Sequence, residues 1–151
     1  MRAIGNVLTA SDPMIVERCL WLGVLDKLTN LLYQSNSNII KECLWSFSNI
    51  TAGPSSHIEK FVESDSMDRV LFLTESRNID IRKEAMYVIC HAITGADVII
   101  RAKIYEKTNG TIFGVMIKAS YINEVRLLFH VIEAIEELLK LDDWYNTFKS
   151  E

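Results

Sequence analysis

Glycine and proline are scarce in this chain, six and two among 151 residues. A fold of short strands joined by tight turns needs more of both. The scarcity therefore argues against an all-β architecture and for long helices with short links. No C-x-x-C pair occurs; the three cysteines, Cys19, Cys43 and Cys90, stand far apart. An odd, unpaired set suits buried thiols in a reducing compartment, and in such a compartment the sequons at Asn49 and Asn109 are accidental. No apolar run reaches the roughly 18 residues of a membrane span, and no signal peptide is visible. A basic excess is missing as well. The net charge is −4, which argues against nonspecific nucleic-acid binding and leaves a basic partner open. There is no glycine-rich phosphate loop, nucleophile elbow or pair of catalytic carboxylates. His57, His91 and His130 lack the spacing of a metal site. The expectation is a protein that is not an enzyme and needs no cofactor or metal, with no membrane and no nucleic acid among its partners.

What the chain does have is apolar bulk, 49% of residues, and a repeat. "IIKECLWSFSNITAG" from Ile39 aligns without a gap to "IRKEAMYVICHAITG" from Ile81, at a period of 42. Trp45 pairs with Tyr87, Asn49 with His91 and Gly53 with Gly95. A further step reaches Phe129 and Glu133, and a step of 43 back reaches Arg2 and Asn6. That period suits a helical solenoid. Each unit splits into three apolar segments. They are Asp12–Leu22, Val24–Tyr33 and Ser37–Thr51, then Ser56–Glu63, Met67–Glu75 and Ile79–Ile93, then Asp97–Lys107, Thr111–Ala119 and Ile122–Leu141. Asp12-Pro13 reads as an N-cap with a first-turn proline, and Gly53-Pro54 as a stop. The unit boundaries are 1–11 for a partial repeat, 12–54, 55–96 and 97–141 for three full ones, and 142–151 for the start of another. The chain reads as a piece cut from a longer solenoid, and its apolar cut ends, Arg2–Leu8 and Trp144–Phe148, as places for self-association.

On a helical wheel, Ile40, Cys43, Phe47 and Ile50 gather on one side of the third segment, and Glu42, Trp45, Ser48 and Asn49 on the other. The second stripe recurs as Glu84, Tyr87 and His91, and in the partial unit as Arg2 and Asn6. Third helices stacked side by side, about 10 Å apart, turn such stripes into a ladder along a groove. An extended peptide advances about 6.7 Å per two residues. Amides on one row can bond its backbone. Aromatic rings on the other form slots for long cationic side chains, with Glu42 and Glu84 beside them.

These segments, "RAIGN", "IKECLWSFSNITAG" and "RKEAMYVICHAITG", resemble importin-alpha, the armadillo-repeat adaptor of nuclear import, and the similarity runs along almost the whole chain. The resemblance implies an all-α, right-handed armadillo-repeat superhelix, an α-solenoid of about three three-helix repeats. It implies binding of basic nuclear localisation signal peptides of cargo proteins, and work in cytoplasm and nucleus. Trp45 and Asn49 match the family's seventh-repeat pair of the minor signal-binding site, Glu84 the eighth-repeat acid, and Arg2 and Asn6 the sixth-repeat pair. Thr9 and Asp12 match the turn that meets a signal lysine. Tyr87 and His91 stand where the family has a second Trp and Asn. Importin-beta and the export receptor would be partners of a full-length protein, through regions absent or partial in this chain. The alternative is an armadillo scaffold for other protein contacts, with a drifted groove that does not read such signals.

Overall fold

The computed structural model describes the backbone of residues 2–9 and 13–148 and the side chains of 5–9 and 13–141. Ten helices and no strand occur among the described residues. They are α1 (Arg2–Leu8), α2 (Pro13–Trp21), α3 (Val24–Leu31), α4 (Ser37–Thr51), α5 (Ser55–Glu63), α6 (Asp65–Leu73), α7 (Ile79–Gly95), α8 (Val98–Lys107), α9 (Ile112–Ser120) and α10 (Val125–Phe148). Three units of first, second and third helix thus follow a lone third helix, α1. The third helices pack in a row, α1 on α4, α4 on α7 and α7 on α10, and the first helices α2, α5 and α8 in another.

The period is visible in local structure. Asn36 caps α4 by accepting from the Asn38 amide at 3.0 Å, and Asn78, one period on, caps α7 by accepting from the Asp80 amide at 3.0 Å. An Asn at the N-cap satisfies an amide that the helix itself cannot. Gly23, at φ 78°, makes the tight corner between α2 and α3, where a side chain would be strained. The core repeats too: Leu28, Val70 and Ile112 lie one period apart on successive second helices, and all are buried. Phe47 and Phe61 meet at 5.8 Å between ring centres, joining one unit to the next. Arg101 is buried with its charge engaged. Its guanidinium donates to the carbonyls of Ile93 (3.0 Å) and Ala96 (2.7 Å) at the end of α7 and pairs with Glu137 at 2.8 Å on α10.

Two expectations need correction. A break at 141/142 was expected, with a new first helix beyond it, but α10 runs unbroken from Val125 to Phe148. Residues 142–148 contain no Gly or Pro to stop it. Of the three thiols, Cys43 and Cys90 are buried, and burial pushes them up to about 11 and about 12, whereas Cys19 is only half-buried.

Candidate functional site

The third-helix row builds a surface in which α4 is flanked by α1 and by α7. That position explains why α4 shows so little of itself to water. The expected core side, Ile40, Cys43, Phe47 and Ile50, is buried, but so are Leu44, Ser46, Ser48 and Thr51. A wheel drawn for a helix with one wet side overstates the open arc of a helix with neighbours on both flanks. Beyond the first turn of α4, what stays half-exposed is a narrow line: Lys41, Glu42, Trp45 and Asn49.

Around that line lies an open cleft of about 510 Å³, lined by Asn6 from α1, Lys41, Glu42 and Trp45 from α4, and Glu84 from α7. Three helices of three successive units therefore place an amide, an indole and two carboxylates around one volume. The indole is held from beneath. A Cβ built on Gly5 would come within 2.2 Å and 2.6 Å of the Trp45 ring carbons Cζ3 and Cε3. The ring thus lies on bare α1 backbone, and only glycine allows it. The sequence carried this signal in the glycine of "RAIGN", which the ladder argument passed over.

Asn49 is less free than a ladder amide should be. Its Nδ2 donates to the Gly5 carbonyl at 3.4 Å, which ties α4 to α1 and leaves its carbonyl and second N–H unused by that bond. It also lines a second hollow of about 310 Å³ with Thr9, Pro13 and Pro54. Thr9 bonds its hydroxyl back to the Asn6 carbonyl at 2.7 Å, closing the end of α1. The side chain of Arg2, and Asp12 altogether, lie outside the described residues.

The α7 rung differs from the expected open slot. Ser48, placed on the groove stripe from the sequence, is buried, with its hydroxyl 3.0 Å from His91 Nδ1. His91 is half-buried and stacks edge-on with His130 of α10 at 5.0 Å. Burial first, then the neighbouring His130, lowers its pKa below the ordinary histidine value, so the ring stays neutral near neutral pH. Tyr87 donates its hydroxyl to Glu124 at 2.6 Å and packs against His130 at 5.6 Å. Burial and that bond push its phenol up. Lys83 completes the set at 2.9 Å from Glu124. Tyr87 and His91 therefore fasten α7 to α10 and α4. His130 and Glu124, missed from the sequence, are the partners that make this so; their only sequence signal was their place on and just before the next third helix.

Glu84 is the exception. It is half-exposed at the cleft wall, and no hydrogen bond or ion pair reaches it among the described residues. Burial, with the charge of Glu124 beside it, raises its pKa above the usual carboxylate value. Lys83 and Lys41 offset this only in part, and a carboxylate with no bonded partner beside an indole and an amide is chemically a receptor for a cation on a long stem. Among the described residues no cluster could hold a metal ion.

The comparisons agree with this architecture. A family model described as Armadillo/beta-catenin-like repeat matches residues 18–52. Importin subunit alpha-2 of Oryza sativa subsp. japonica is 33% identical over 95 residues, covering 59% of this chain and 18% of that protein. The chain thus spans less than a fifth of that relative's length. Among solved structures, a designed armadillo repeat protein in complex with the peptide (KR)4 superposes with a TM-score of 0.76 at 21% identity, over 90% of this chain and 55% of that one. Another designed armadillo repeat protein gives 0.78 at 20% identity, over 90% and 55%. These structural likenesses speak for the fold.

Proposed function

We propose that this armadillo-repeat solenoid holds an extended basic peptide along the surface of α1, α4 and α7, as a nuclear import adaptor holds its localisation signal in cytoplasm and nucleus. The observation that carries the reading is the cleft of Trp45, Asn6, Lys41, Glu42 and Glu84, in which no ion pair or hydrogen bond among the described residues occupies the Glu84 carboxylate. A lysine or arginine entering it would lay its stem on the indole, worth about 0.5–2 kcal/mol, and place its charge near Glu84. Support also comes from the 33% identical stretch shared with importin subunit alpha-2 and from the (KR)4 peptide bound by a designed protein of the same fold. The test is a titration of a labelled lysine-rich signal peptide against the same peptide with its lysines changed to alanine. Binding of the first and not the second, weakened in Trp45→Ala, is the expected result; equal binding of both overturns the reading.

A second reading is favoured by the α7 rung. With Tyr87 engaged by Glu124 and His91 by Ser48, the groove beyond Trp45 is committed to internal bonds. A scaffold that contacts partners through other surfaces, and reads no localisation signal, follows if the lysine-rich peptide fails to bind.

A further inference from the structure

A third cleft, of about 460 Å³, lies in the first-helix row between α2 and α5 and shares no lining residue with the Trp45 cleft. Its rim is apolar and wet: Met14 is 76% exposed and Trp21 80% exposed. Positions 14, 18 and 21 fall within about 60° of one face of α2 and climb about 10 Å along it. Arg18 thus stands between the two apolar side chains. Pro54, just before α5, and His57 on that helix form the opposite wall. The charges here are unequally spent. Glu17, the acid at the cleft, is engaged by Lys60 and by His57 Nε2 at 3.1 Å. No carboxylate among the described residues comes within ion-pair distance of Arg18, which is exposed.

We propose that this face docks an amphipathic acidic helix of a partner protein. Two apolar side chains about two turns apart on the partner would sit beside Met14 and Trp21 and against the Pro54–His57 wall. A carboxylate between them would pair with Arg18. The spacing argues for a helix, because apolar, charged and apolar groups at i, i+4 and i+7 on α2 are met by the same periodicity on the partner. The charge argues for acid, because a neutral or basic partner would leave Arg18 covered and unpaired. Cleft and groove would then select partners of opposite sign, and neither depends on the other.

The probe is a synthetic helix-forming peptide of roughly 15 residues, with Leu at i and i+7 and Glu at i+3 and i+4, beside a version with Lys in place of Glu. Each is titrated into 15N-labelled protein while the indole N–H resonances of Trp21 and Trp45 are followed. The acidic peptide should shift Trp21 and leave Trp45 unmoved. Trp21→Ala and Arg18→Glu should each weaken it by at least about tenfold, and Arg18→Glu should make the Lys version the better ligand. Both substituted side chains are exposed, so circular dichroism and thermal midpoint should match the parent. Four results overturn the proposal: no binding up to about millimolar peptide, equal binding of the acidic and Lys versions, affinity unchanged in both variants, or a shift of Trp45 instead. A Trp21 shift that follows protein concentration without peptide also overturns it, since the occupant is then a second copy of the chain.

Discussion

Trp45 rests on the backbone of Gly5, the residue at which its third helix touches the one before it; a methyl group there would lie 2.2 Å from the ring. Helix propensity alone says that Gly5→Ala should stabilise α1 by up to about 1 kcal/mol. The contact says the reverse. Overpacking of this kind costs about 1–3 kcal/mol, so the net effect should be a loss of stability with a red-shifted Trp45 emission as the ring swings into water. Thermal unfolding together with the fluorescence of a variant lacking Trp21 and Trp144 checks this. A stabilised protein with unchanged emission would mean that the indole has another seat.

Substitutions along α4 should separate binding from folding. Trp45→Ala should weaken a lysine-rich peptide by about 1–2 kcal/mol through the lost cation–π and stem contacts. Phe47→Ala, in the core against Phe61, should destabilise by about 3–5 kcal/mol. Asn49→Ala falls between. Because Asn49 already bonds the Gly5 carbonyl, it should lower stability by about 1 kcal/mol as well as weaken any peptide. Chemical denaturation of the three variants, read beside peptide titration, ranks them.

Acid should act through two groups of opposite sign. The pKa of Glu84 is raised in the fold, so its ionised form costs stability above that pKa and the cost disappears as pH falls through it. A bound cation favours the ionised form, so peptide affinity should fall on the same descent and be restored in neither limb by Glu84→Gln, which should flatten the profile. His91 is lowered. The stability of its neutral form is complete above the unfolded value of about 6.5 and is lost as pH drops from there through the folded pKa. Peptide affinity should therefore stay level from pH 7.5 to about 6.5, and urea midpoints should decline below that in the parent and less in His91→Gln.

Tyr87→Phe should remove one bond to a charged acceptor, a contact of about 1 kcal/mol at this half-exposed position, while leaving Lys83 on Glu124. Loosening of α10 from α7 should appear as faster amide exchange at the start of α10. Exchange unchanged there would show that packing alone holds the joint.

Much of this was readable before any coordinates. The 42-residue period fixed helix number and order because each unit repeats one apolar pattern, and Ser37–Thr51 emerged with both ends as expected. Trp45, Glu42, Glu84 and Asn6 fall around one cleft because a stripe at helical spacing, repeated at the solenoid period, must converge there. Ser48, Tyr87 and His91 behaved differently for a shared reason. Each has its partner in the neighbouring unit, His91 for Ser48, and Glu124 and His130 for Tyr87 and His91, and a wheel sees one helix at a time. Helix α10 ran on past Leu141 because an Asp-Asp pair can open a helix or continue one, and nothing local decides between them.

The ion pairs between first and second helices of neighbouring units, Glu17 with Lys60, Lys103 with Glu59 and Glu63, and Lys118 with Glu75, are individually weak, about 0–1 kcal/mol each. The third-helix row carries such pairs as well, Lys41 with Asp80 at 3.7 Å and Lys83 with Glu124 at 2.9 Å, beside the contact of Ser48 with His91. The solenoid therefore carries salt-sensitive struts along both its rows, laid over an apolar core that runs through all three units. Raising the ionic strength slackens the struts on both rows together, so the spacing between successive rungs of the groove is left to the buried apolar contacts, as tension in a frame passes to its rigid members when the ties are loosened.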